Sequence, residues 1–573
     1  MTQLAHVQSE SAPTFHAGST RGLVRWVCTS NPFYVLSALL VCLGLWVSFG
    51  SPADAAQTWA LLSGMAGYTL LLAVTACLLV RFVGVWDDVR TVLLLVVLMF
   101  LATSVTFDEV LARSPGRGVA CYLGGLLFAV AVSEAMLRGI RLGLPTLFRM
   151  PYYLALALFF LYPVALTPLL DDPGGEALPW ALFGFGPAAG LVCLTLLPAV
   201  RRGRAYVRDN GSPWPWAWYP WALFGVLAFG VVTRSAMLCW SMHHVGGAGS
   251  EPYLFGPYFL VPFLLPVGVL LLELGRVEGS KGALRTALFF PPVLLILATV
   301  GHRHEAVYEG FLTRFTTHLG GTPLYLTLLA SVGFYGYAAL KRVGMATEAL
   351  AVSLAALAVV GPGTLDLGGL VSPRPMPILV VAALQLGLGL RRRESWRFLV
   401  GAFCLAVGAT IGLAGTGISH PGPISFHLIL AVILAVGAVY DDLLGRPLRL
   451  LGASMVVLAC LPATSGHLEG SGSIPAWAIV LYPPTMAALI AGYGLVLGHR
   501  ASWIAAWLIL AVWLITGGWR GYLALRQLVL GLDYLALGMA AFALAVFVSV
   551  AKAGVLSGGA TASGAKLLDT PEV

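Results

Sequence analysis

Apolar residues run through this chain in stretches of about 20 positions, and the charged residues collect in the short seams between them. Such stretches match the length an α-helix needs to cross a hydrocarbon core roughly 30 Å thick. Scanning the chain yields about eighteen of them, the first Phe33–Gly50 and the last Tyr534–Val550. The pattern predicts an all-α integral membrane protein, a polytopic bundle of about 18 transmembrane helices. Two stretches strain it: Thr347–Val360 is short for a span, and Gly361–Pro377 has the Gly/Pro content of a re-entrant segment.

The seams also carry a direction. With the N-terminus inside and one crossing per stretch, about 25 lysines and arginines fall on inner seams and about 7 on outer ones, with Arg234 alone left within a span. This is the positive-inside bias, and it places both termini in the cytoplasm and the chain in the cytoplasmic (inner) membrane as a multi-pass protein. Residues 1–32 then form a polar cytoplasmic tail, 33–553 the transmembrane domain, and 554–573 a Gly/Ser/Ala-rich flexible cytoplasmic tail. Arg21 and Arg25 precede the first stretch, and no small-residue cleavage site follows a short apolar core, so that stretch reads as an uncleaved anchor.

Composition narrows the function classes. The 573 residues are 59% hydrophobic and 10% charged, with mean hydropathy +0.88, against about 25% charged in soluble domains. The net charge of +8 would suit nucleic acid on a soluble basic face, but here the cations sit at membrane edges, so no nucleic-acid partner is expected. The seams leave no room for a soluble catalytic domain of about 50 residues or more. There is no phosphate-binding G-x-x-x-x-G-K-[ST] loop, no nucleophile elbow and no haem-attachment motif, so ATP and haem are not expected as cofactors. Seven of the eight cysteines, Cys42, Cys77, Cys121, Cys193, Cys239, Cys404 and Cys460, fall in or beside apolar stretches, where Cys behaves as a small hydrophobe.

Candidate chemistry gathers on the outer side. Arg234 lies about two turns before the end of the stretch that finishes at His243-His244. A charge at that depth faces the bundle interior or snorkels, and its guanidinium could clamp a phosphate or carboxylate. His427 enters another span from the same side, so Arg234, His427, His243 and His244 form the candidate substrate-binding set. The segment Gly301–Glu309, read as part of the longest outer loop, holds His302, His304 and Glu305, a set suited to a divalent metal, although the zinc-protease HExxH pattern fails because Tyr308 replaces the second histidine. The carboxylates Asp108 and Glu109 are assigned to an outer seam, and Glu134 and Glu273 to the inner ends of spans.

Prolines inside several stretches, among them Pro163, Pro187, Pro266, Pro291, Pro292, Pro483 and Pro484, offer the broken helices that transporters use at binding sites. The spacings Gly186/Gly190 and Gly408/Gly412 would let helices approach closely.

The many spans and absent soluble domain favour a transporter, flippase or exporter. Two alternatives stand beside it: a membrane-embedded transferase acting on a lipid-linked substrate at the outer leaflet, and a non-catalytic component of an envelope membrane complex. The partners expected are the lipid bilayer, a small-molecule or lipid-linked substrate and, for the third reading, other membrane subunits.

Overall fold

A computed structural model of the chain describes residues 32–49, 55–170, 176–208, 210–214, 220–245, 254–301, 306–360, 374–414, 421–465, 475–528 and 531–552. Every regular element among them is helical. The chain divides into two compact units, Met1–Pro373 and Arg374–Val573.

The first unit contains α1 (Phe33–Phe49), α2 (Ala55–Leu78), α3 (Asp87–Arg113), α4 (Pro115–Gly139), α5 (Thr146–Leu166), α6 (Ala177–Leu194), α7 (Leu197–Arg202), α8 (Trp221–Val245), α9 (Val261–Glu278), α10 (Lys281–Thr299), α11 (Ala306–Leu319), α12 (Pro323–Leu340) and α13 (Ala346–Val359). The second contains α14 (Pro375–Arg392), α15 (Ser395–Ala414), α16 (Pro421–Val439), α17 (Gly445–Ser465), α18 (Ala476–Leu497), α19 (Arg500–Arg526) and α20 (Leu532–Lys552).

Among the described residues, fourteen helices are long and apolar enough to cross a membrane. Helices α1 and α13 are apolar but shorter, and α20 carries the apolar stretch Asp533–Ser549. The fourteen fall short of the eighteen expected because apolar runs do not all become long helices: α13 is 14 residues, and α14 ends in Arg391 and Arg392. Their outer faces are apolar. On α10, Phe289, Val293 and Ile296 recur at helical spacing and are half or more exposed. A stripe of that size, repeated on helix after helix, is stable only in hydrocarbon. The protein is a multi-pass integral membrane protein.

Helix α3 is the hub of the first unit, packing on α2, α4 and α8. Its buried face carries Val92, Val96, Phe100, Phe107 and Leu111. Close approach of neighbours depends on glycines. A Cβ on Gly118 of α4 would lie 2.3 Å from the Leu111 Cα on α3. The Gly186/Gly190 spacing is a true contact: their added Cβ atoms would each fall 2.3 Å from a backbone oxygen, of Phe259 and Pro262 respectively. The second pair divides, since a Cβ on Gly408 would press on the Leu379 side chain while one on Gly412 would meet nothing.

Two expectations need correction. The prolines do not break helices: α5 runs through Pro163, α6 through Pro187, α9 through Pro266, α10 through Pro291 and Pro292, and α18 through Pro483 and Pro484. Neighbouring helices hold the chain in register despite the missing amide donors. The segment read as an outer loop after Glu305 is helix α11, whose Tyr308, Phe311 and Phe315 bury one face against Tyr258, Phe259 and Trp180.

Gly190→Val should therefore force α6 and α9 apart, costing about 1–3 kcal/mol in unfolding free energy. Gly412→Ala, in open space, should leave stability unchanged or raise it by up to about 1 kcal/mol. Thermal unfolding in detergent checks both.

Candidate functional site

The site in the first unit is built by three helices. Ser104 and Asp108 stand four residues apart on one face of α3. Ser114, between α3 and α4, and Pro115 at the start of α4 make a tight reversal that returns the chain alongside, bringing Tyr122 opposite both. Arg234 and Ser241, about two turns apart on α8, complete the group.

Arg234 and Asp108 are each 1% exposed, and Tyr122 is fully buried. Arg234 Nη1 pairs with Asp108 Oδ2. Nη2 donates to Asp108 Oδ1 at 2.7 Å and to Tyr122 Oη at 2.9 Å. Tyr122 Oη in turn lies 2.5 Å from Asp108 Oδ1 and 2.9 Å from the Ser104 carbonyl oxygen. Ser241 Oγ is 3.0 Å from Asp108 Oδ2 and 2.6 Å from the Met237 carbonyl oxygen. Two opposite charges thus meet in fork-to-fork geometry with hydroxyls closing the remaining valences, the arrangement that lets a buried pair persist. Among the described residues, Arg234 Nε is the one buried donor of the group without a partner.

This changes the reading of both ends. Asp108 is not an outer-seam acid, because α3 remains helical to Arg113 and turns the carboxylate inward. Both terminal nitrogens of Arg234 already hold a carboxylate, so a bound phosphate would have to compete with Asp108.

His427 belongs to the second unit, and its polar neighbours are there. Its Nδ1 is 2.7 Å from the Pro423 carbonyl oxygen and its Nε2 2.6 Å from Tyr482 Oη. A carbonyl can only accept, so Nδ1 carries the proton and Nε2 accepts from the tyrosine. His427 also borders a cavity of about 330 Å³ walled by Leu430, Met486 and Tyr493, but both ring nitrogens are engaged elsewhere. His243 and His244 are in the last turn of α8, and their side chains are outside the described residues, as are His302, His304 and Glu305. Among the described residues, no three His, Cys, Asp or Glu side chains converge as a metal group would require.

A second ionic cluster lies on α9. Glu273, 1% exposed, accepts from Arg276 Nη1 at 3.0 and 3.1 Å and from the Tyr337 hydroxyl. Arg201 Nε is 3.8 Å from the same carboxylate, and its Nη2 donates to Tyr337 Oη at 3.2 Å. In the second unit, between α16 and α17, hydrogen bonds from Ser395 and from the Gly445 and Leu444 amides hold the Asp442 carboxyl below its usual range.

Between α5, α6, α8 and α9 lies a cavity of about 290 Å³, with no charged residue in its wall among the described residues. Val231, one turn before Arg234, contributes to it, as do Phe224, Phe263, Leu270 and Leu274. Sequence patterning gave no sign of it, since a void between apolar faces looks like any other packed core.

Arg234→Gln and Asp108→Asn, each stranding a buried charge, should lower unfolding free energy by about 3–5 kcal/mol. Ser241→Ala, which leaves the pair intact, should cost about 1 kcal/mol. Denaturation of the detergent-solubilised variants tests this order, and equal effects for all three would refute it. Compared with family models, curated proteins and solved structures, the chain matches none.

Proposed function

We propose that the protein is a transporter or flippase whose cargo is an amphiphile carrying a hydrocarbon chain. It would lie in the inner membrane with both termini cytoplasmic. The fourteen long helices with α1, α13, α14 and α20 would together make the eighteen crossings that the charge pattern requires.

The observation that carries this reading is the apolar cavity of the first unit. About 290 Å³ of apolar space opens between these helices, partly to the outside, where the exposed Gly225 forms part of its rim. Water is a poor filling, because an ordered water needs two to four polar partners and the described wall residues are almost all apolar. A hydrocarbon chain lying in it gains dispersion contacts with the apolar wall and can enter through the open side. The volume also sits near the lower end of ligand pockets, about 300–1,000 Å³. The neutral Asp108–Arg234 pair serves here as the rigid pin beside the cavity rather than as the cargo clamp.

Gly225 tests the reading cleanly. It lines the cavity, and a Cβ there would meet no atom within 4 Å. Gly225→Leu should fill the space without strain and should not lower the unfolding midpoint. In proteoliposomes with nitrobenzoxadiazole-labelled phosphatidylglycerol as probe, wild type should move the lipid between leaflets, and the variant should do so at least about tenfold more slowly, a loss near 1.4 kcal/mol. An unchanged rate would remove the cavity from the path.

A further inference from the structure

We propose that the amphiphile is an anionic phospholipid, whose phosphate is bound by Arg202 and Arg208 on the segment that follows Leu196 and packs against the edge of the cavity wall. The inference rests on the cavity reading above and deepens it.

The segment is amphipathic over very few residues. Leu196 ends the cavity wall, α7 follows, and Gly203, at φ +65°, redirects the chain into a 3₁₀ turn over Arg204–Val207. Ala199, Val200 and Val207 face inward and pack in one cluster with Leu196 and Leu270. Leu196 and Leu270 are themselves cavity-lining residues. The opposite face carries Arg201, Arg202, Arg204 and Arg208, all exposed. Hydrocarbon-binding space and a guanidinium face are thus two sides of one short stretch of chain.

The arginines are not equivalent. Arg201 is committed to Glu273 and Tyr337, and Arg204 donates to Glu278 at 2.5 Å. Arg202 stacks over the Tyr206 ring at 4.9 Å, which fixes the plane of its guanidinium while leaving its N–H edge open. Among the described residues, no carboxylate pairs with Arg202 or Arg208. Glu273 and Glu278 are outnumbered by the four arginines of the segment together with Arg276. Planar guanidinium forks match the oxygens of a phosphodiester, and basic pockets between membrane helices select anionic headgroups. A free anion would use the arginines and leave the apolar cavity unfilled; a neutral lipid would do the reverse. An anionic phospholipid satisfies both.

The full-length protein, delipidated in detergent, is titrated with phosphatidylglycerol, with phosphatidylcholine or with inorganic phosphate, reading the unfolding midpoint. Wild type should respond to phosphatidylglycerol at a concentration about tenfold or more below that needed for phosphatidylcholine, and Arg202→Gln/Arg208→Gln should bring the two within about twofold. Gly225→Leu should weaken the response to both lipids. Equal responses in wild type, or a preference that survives the arginine changes, would overturn the headgroup assignment and leave the cavity reading standing. A response to phosphate alone matching that to phosphatidylglycerol would also overturn it, in favour of a soluble anion. Undiminished response to both lipids in Gly225→Leu would overturn the cavity reading itself. Both arginines are exposed, so their replacement leaves the fold in place.

Discussion

One charge pair, buried where no water can reach it, governs the first unit. A lone guanidinium in hydrocarbon is prohibitively costly, and a lone carboxylate is no better. Arg234 and Asp108 can therefore be buried only together, which obliges α8 to stand against α3 at one register. Tyr122 adds α4 to the same knot, and the closeness of α4 to α3 in turn requires glycine at position 118. The apolar faces around the knot are interchangeable in energy, since lipid solvates a leucine as well as a neighbouring helix does. Directional bonds supply the specificity that apolar packing cannot.

The ion pair and the cavity share one helix. Helix α8 offers Arg234 and Ser241 to the ion pair and Phe224, Gly225 and Val231 to the cavity. Its register, once pinned by the charge pair, fixes the width of the cavity. The basic segment after Leu196 packs through Val200 and Val207 in one cluster with the cavity-lining Leu196 and Leu270, and it carries Arg202 and Arg208, with which no carboxylate pairs among the described residues.

Much of this was legible in the sequence, for reasons that can be named. Arg234 stood out because a cation within an apolar run has few physical outlets, and the structure supplies one of them. Gly186 and Gly190 were legible as a spacing, but that Gly412 faces open space was not, because spacing alone does not say what lies opposite. Asp108 was misplaced because hydropathy ends a span at the first charge pair, whereas a helix continues as long as its backbone bonds do. The polar residues around Glu305 read as a loop, although Tyr308, Phe311 and Phe315 just beyond carry the helical period of α11. Tyr122 gave no signal, since a tyrosine in an apolar run is ordinary. The prolines misled because their local cost is real and tertiary packing outweighs it.

The central claim is that Asp108 and Arg234 act as one unit. The direct measurement is a double-mutant cycle on unfolding in detergent, combining Asp108→Asn with Arg234→Gln. Neither charge is stranded in the double variant, so it should be more stable than the sum of the single effects predicts, by about 2–3 kcal/mol. Additivity of the two substitutions to within about 0.5 kcal/mol would contradict the account.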